Sequence, residues 1–163
     1  MRRLREAHFV HEGPSRFVGT TGSGRSVTFG DLVPAGELSP VEMVVASLAT
    51  CSAMDVASIA SKKRQAVERY EVHVTGDQRD EYPQVLTEAT VTHEFWGTDL
   101  SEAALRRAIE LSATKYCPVN AMVSAGATTV HHRYAIHSTG AEPYEREGEV
   151  LATGPYRRPD VLA

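Results

Sequence analysis

The chain has 163 residues, of which 42% are hydrophobic and 23% charged, and a formal net charge of −4. That is enough apolar material for one domain with its own core and at most a short appendage. The mildly acidic balance supplies no basic patch for nucleic acid and no polybasic anchor for a lipid surface, so neither partner is expected.

The N-terminal "MRRLREAHFVHEG" begins basic, but no apolar run follows, so it does not read as a secretory signal. A cytoplasmic location is expected. Residues 8–31 read as strands separated by glycine turns: "GTTGSG" is a turn cluster and "RSVTFG" alternates apolar with polar. "LVPAGELSP" reads as a loop. Ser39, Pro40 and Glu42 then form an N-terminal helix signature, with Ser39 as cap, Pro40 at the first helical position and Glu42 three residues after the cap.

One long helix is expected from Pro40 to about Lys63. Met43, Val44, Leu48, Cys51, Met54, Val56 and Ile59 spread with alanines around nearly its whole circumference, which predicts burial on all sides. "RYEVHVTGDQ" and "VLTEATVTHEFWG" alternate with period two and predict an antiparallel pair. "TDLSEAALRRAIELSATKY" predicts a helix, "CPVNAMVSAGA" a shorter one, and "TTVHHRYAIHS" a closing strand. The domain is expected to end at 137, with 138–163 an extended or partly disordered tail. The order of elements is α+β. One small sheet cannot cover the long helix on every side, so a second subunit is expected against it.

The chain has two cysteines. Cys117 directly precedes Pro118, at or next to a helix N-cap, where backbone N–H groups favour a thiolate. Cys51 lies mid-helix, where burial would raise its pKa, and packing is a sufficient explanation for it. No Cys-x-x-Cys or Cys/His ligand spacing is present, so no metal is expected. His131 and His132 are adjacent on a strand and point to opposite faces. His73, His93 and His131 read as sheet positions at the surface.

"SPVEMVVASLATCSAMDVASIASKKRQ", followed by "KYCPVNAM", resembles the OsmC/Ohr family of cysteine-based hydroperoxide reductases. The resemblance covers roughly residues 8–137. It rests on the Pro-led helix with its cysteine, the lysine-rich helix end, "RAIELSATKYCPV", and the closing strand. "MDVASIASKKRQ" is most similar to a less characterised OsmC-like branch.

The resemblance implies antiparallel sheets wrapped around a long buried central helix, in an intertwined homodimer. It makes Cys51 the thiolate that attacks an organic hydroperoxide and becomes a sulfenic acid. Cys117 would resolve this as a Cys51–Cys117 disulfide, reduced in turn by a dithiol donor such as a lipoyl protein, with no cofactor. The cap position alone would have made Cys117 the more acidic thiol. The family's peroxidases carry an arginine in the glycine turn, and a glutamate after the helix-starting proline. Here Arg25 lies just past the turn, with Arg16 as a second choice. Val41 takes the glutamate position and Glu42 follows it. Glu42 and Cys51 lie roughly 13 Å apart along one helix, so they would share a site only across two subunits. The competing readings are a dimer that binds a small apolar ligand without catalysis, and a redox switch acting through the tail.

Overall fold

Two short stretches of sequence decide how the long helix α1 (Pro40–Lys62) begins and ends. At its start the Ser39 Oγ accepts from the Glu42 N–H (3.1 Å), and the Glu42 carboxylate accepts from the Ser39 N–H (3.0 Å). This is a reciprocal capping box that satisfies two otherwise orphaned donors. At its end Arg64 adopts a left-handed backbone (φ 55°), and the Gln65 N–H reaches back to the Ala60 carbonyl (3.1 Å), closing the last turn.

The computed structural model describes residues 5–30 and 37–154. The chain divides between Val44 and Val45 into two units. The loop expected over "LVPAGELSP" lies mostly outside the described residues, as does the end of the expected tail.

The first unit carries a three-stranded antiparallel sheet, β1 (Ala7–His11), β2 (Phe17–Thr21) and β3 (Ser26–Phe29). Gly24 makes the β2–β3 turn with φ 77°, a conformation costly for any residue with a Cβ. Phe9 and Phe29 pack at 5.6 Å between ring centroids.

The second unit is built on a four-stranded sheet, in the order β4 (Ala66–Gln78), β5 (Leu86–Thr98), β6 (Thr129–Thr139), β7 (Tyr144–Thr153). β4 and β5 form the expected antiparallel pair. β6, however, runs parallel to β5. A parallel neighbour requires a crossover. Here α2 (Glu102–Leu111), a single π-helical turn (Ser112–Tyr116) and α3 (Pro118–Ser124) make it. Period-two alternation identifies a strand but not its direction, so the parallel β5–β6 pair is not readable from it, while the remaining pairings are antiparallel, as the family resemblance implies.

The expected domain end at 137 falls inside β6. β6 continues to Thr139, and residues 144–153 form edge strand β7, antiparallel to β6. Glu145, Arg146, Glu147 and Glu149 give that segment no apolar alternation, because an edge strand faces water along much of its length.

α1 buries Leu48, Ala49, Ser52, Val56 and Ala60; Leu48, Ser52, Val56 and Ala60 follow at four-residue spacing along one stripe, and Ala49 borders it. Val56 and Ala60 pack with Phe95, Leu105, Ile109 and Ile136, and Leu48 packs with Ala89, Val91 and Val130. Each large side chain so buried contributes about 1.5–3 kcal/mol. Among the described residues the far side of α1 is left uncovered, with Met54 75% exposed. Among the described residues, α1 is long and apolar enough, by length and composition, to cross a bilayer. Its stripe instead lies in the core of this unit.

Candidate functional site: a paired-thiol centre

Two helical elements bring the thiols together. Cys51 sits in the middle of α1, half-buried. Cys117 is the buried N-cap residue of α3, with its Sγ accepting the Asn120 N–H (3.3 Å). The sulfurs are 66 positions apart in sequence and 2.9 Å apart in space, with the Cys117 S–H donating to Cys51 Sγ. A disulfide needs about 2.05 Å, so less than about 1 Å of approach separates the free thiols from a bond.

Burial pushes the Cys117 thiol up to about 12; the hydrogen bond to Cys51 adds to this and the Asn120 N–H opposes it. The cap position had pointed to Cys117 as the more acidic thiol. Desolvation outweighs the cap, so Cys117 keeps its proton and Cys51 is the acceptor sulfur.

A carboxylate oxygen of Asp55 and both sulfurs lie within 4.8 Å of one another. Asp55 follows Cys51 by one helical turn, which sets both on one face of α1. A chain of hydroxyls and an imidazole, buried at Ser52, Ser112 and His93, converges on this carboxylate. Tyr70 Oη lies 2.6 Å from His93 Nδ1, and His93 Nε2 lies 3.4 Å from Ser52 Oγ. Ser52 Oγ lies 3.3 Å from Ser112 Oγ, which lies 3.1 Å from Asp55 Oδ2. Every proton in this chain can point the same way. Tyr70 donates to Nδ1, Nε2–H donates to Ser52, Ser52 to Ser112, and Ser112 to the carboxylate. That arrangement requires a neutral His93, and burial, followed by the influence of His132, pushes its pKa down to about 3. Burial also raises the Tyr70 phenol, keeping it a donor.

A second buried group holds the Cys117 side. Asn120 Oδ1 faces His132 Nε2 (3.1 Å) and accepts from the Thr153 Oγ–H (3.3 Å), while its Nδ2 donates to the Ala113 carbonyl (2.8 Å). Burial, then the nearby His131, pushes His132 down to about 4. His93 and His132 stack at 6.4 Å.

The structure treats the other expected site residues differently. Glu42 is exposed and bonded to Ser39 in the capping box. Arg25 is exposed at the β2–β3 turn, where its carbonyl accepts from the Thr21 N–H (2.9 Å). Arg16 is ion-paired with Glu12 and Glu37. His93 was read as a surface residue and is fully buried. Asp55, one helical turn past Cys51, has a carboxylate oxygen within 4.8 Å of both sulfurs. Ser52, Ser112, Tyr70 and Asn120 were missed. The one signal available for them was polar residues at positions where the helix and strand patterns demanded apolar ones.

Residues 33–133 match the family described as OsmC-like protein. Protein YhfA of Escherichia coli K12 is 39% identical over 124 residues, covering 74% of this chain and 89% of YhfA. A solved structure of a hypothetical protein from Aquifex aeolicus shares 27% identity with a TM-score of 0.72, covering 86% of this chain and all of that one (100%). An organic hydroperoxide resistance protein OsmC from Legionella pneumophila shares the fold at 14% identity and a TM-score of 0.58, covering 84% of this chain and 98% of that one. An α+β chain with a long central helix and two adjoining thiols is thus placed in a class. It belongs to the OsmC-like family, in a branch represented by YhfA and distinct from Ohr.

Proposed function

We propose that the protein reduces organic hydroperoxides to alcohols with its two thiols. The observation that supports this most is the 2.9 Å separation of the Cys51 and Cys117 sulfurs. The half-exposed Cys51 attacks as thiolate. Its sulfur takes the terminal oxygen of ROOH, the O–O bond breaks, and the departing alkoxide takes a proton to leave as ROH. Cys51 is then a sulfenic acid. Cys117 Sγ attacks that sulfur, the S–OH bond breaks, and hydroxide leaves with the Cys117 proton as water. The resulting disulfide is returned to two thiols by a dithiol donor, of which a lipoyl protein is one chemical type.

Several features agree with this scheme. Cys117 keeps its proton beside Cys51 and is placed to resolve it at once. The exposed Met54 on α1 suits a second copy packed there, so the working unit is a homodimer. A reducing cytoplasm would keep both thiols free between turnovers. Arg25 and Glu42 enter as kinetic predictions. Arg25→Gln slows the peroxide reaction at least about tenfold, as loss of a charge favouring the thiolate should. Glu42→Gln lowers helix stability more than it lowers turnover.

The test is second-order peroxide kinetics with cumene hydroperoxide on the wild type, Cys51→Ser and Cys117→Ser. Cys51→Ser should lose the first turnover. Cys117→Ser should complete one turnover and stop at a sulfenic acid, trapped by dimedone. A Cys51→Ser protein that still consumes one equivalent at the normal rate contradicts the assignment.

A further inference from the structure

The carboxylate beside the two sulfurs has no use in the peroxide chemistry above. A negative charge at that point disfavours a thiolate. Among the described residues of its unit, Asp55 forms no ion pair, and its hydrogen-bond partner is the Ser112 hydroxyl. One carboxylate and two thiols therefore converge within 4.8 Å, and among the described residues of the unit no ion pair engages the carboxylate.

We infer that the reduced centre binds one thiophilic divalent cation, Zn2+ in the first instance, through Cys51 Sγ, Cys117 Sγ and an Asp55 carboxylate oxygen. The fourth tetrahedral position is left to water. Cys51 and Asp55, one turn apart on α1, act as a pair of ligands from one helix face, and Cys117 closes the site from the start of α3. Two sulfurs and one carboxylate make a donor set that zinc accepts with an open position. Tetrahedral zinc with Zn–S near 2.3 Å holds its sulfurs roughly 3.8 Å apart. The sulfurs at 2.9 Å must therefore part by about 1 Å, within reach of a small rotation of the half-exposed Cys51.

The supports that metal ligands need are already in place. Ser112 donates to Asp55 Oδ2 and is itself backed by Ser52 and His93, and Asn120 N–H donates to Cys117 Sγ. Such outer hydrogen bonds orient ligands and raise affinity.

Binding displaces two thiol protons to solvent and leaves both sulfurs coordinated. The metal then masks the pair from peroxide, and this part rests on the proposed peroxide chemistry. Oxidation reverses binding: the zinc dithiolate, ROOH and two protons give the disulfide, ROH, water and free Zn2+. Two electrons pass from the sulfurs to the O–O bond, and the metal keeps its charge.

The experiment titrates reduced, metal-free protein with Co2+, then Zn2+. One equivalent of Co2+ per chain should produce a thiolate-to-cobalt charge-transfer band, and Zn2+ should abolish it. The disulfide form and Cys51→Ser should not develop it. Asp55→Asn should weaken Co2+ binding at least about tenfold, and Ser112→Ala, which leaves every ligand in place, by about tenfold. Absence of the band overturns the inference. So does unchanged Co2+ affinity in Asp55→Asn and Ser112→Ala proteins whose circular dichroism matches the wild type, since the thiols alone would then be chelating. A parallel arm follows thiol loss to cumene hydroperoxide with and without bound Zn2+. Loss slowed at least about tenfold by Zn2+, and restored by a chelator, supports masking; loss at equal rates overturns it. Metal-free protein that reacts with peroxide yet gives no cobalt band leaves the proposed function standing and removes only the metal site. A cobalt band in protein inert to peroxide does the reverse.

Discussion

At the scale of single residues, the fate of Cys117 shows which effect wins when two oppose. A backbone N–H and a helix start lower a thiol's pKa, and burial raises it; here burial dominates. The same desolvation holds His93 and His132 neutral, which ties stability to pH. Unfolded histidine titrates near 6.5. Both folded values lie well below this. Between the two, the unfolded chain binds protons that the folded chain refuses. Stability is therefore whole above about pH 6.5 and falls as pH drops toward 4. Each imidazole costs up to about 1.4 kcal/mol per pH unit in that window. Urea denaturation between pH 7.5 and 5.5 should show this slope, and His132→Asn should flatten it. An equal slope in that variant would show that other groups set it. Asn120→Ala is expected to remove about 2–4 kcal/mol, because it strands His132 Nε2 and Thr153 Oγ in the interior. Chemical denaturation measures that loss.

At the scale of elements, sequence patterns revealed existence better than direction. The long helix, its Ser39–Pro40–Glu42 start, the β4–β5 pair and the Cys117–Pro118 helix start were legible because caps and alternation are local. Ser39→Ala should cost about 0.5–2 kcal/mol by thermal denaturation, through loss of the cap alone. Three features were not legible. The parallel β5–β6 pairing depends on the path of a crossover, which period-two alternation does not encode. β7 is an edge strand of charged residues and carries no apolar signature. The π turn at Ser112–Tyr116 replaces the end of what reads as one continuous helix. By adding a residue to that turn it sets Cys117 N–H on the Ser112 carbonyl (2.9 Å), with Ser112 facing Asp55. π turns of this kind recur at functional sites. The thiol pair was legible only through the family resemblance. The Asp55–Ser112–Ser52–His93–Tyr70 chain was not, because its members are separated by up to 60 positions and each alone reads as an ordinary polar residue.

At the scale of the whole molecule, one face of α1 is buried in its own unit while the far side carries the 75%-exposed Met54. The proposed homodimer would cover this exposed side chain. Met54→Lys should shift sedimentation from dimer to monomer while leaving the fold's circular dichroism intact; an unchanged sedimentation coefficient would place the interface elsewhere. Intact mass tests the pairing of the two sulfurs most directly. Fully reduced protein is exposed to one equivalent of cumene hydroperoxide, then alkylated under denaturing conditions and weighed. The account predicts that the chain loses two hydrogens, takes up no alkyl group, and yields a Cys51–Cys117 cross-linked peptide on digestion. Two alkyl groups per chain after prolonged exposure would mean that both thiols had stayed intact beside the oxidant, and that their proximity serves something other than peroxide reduction.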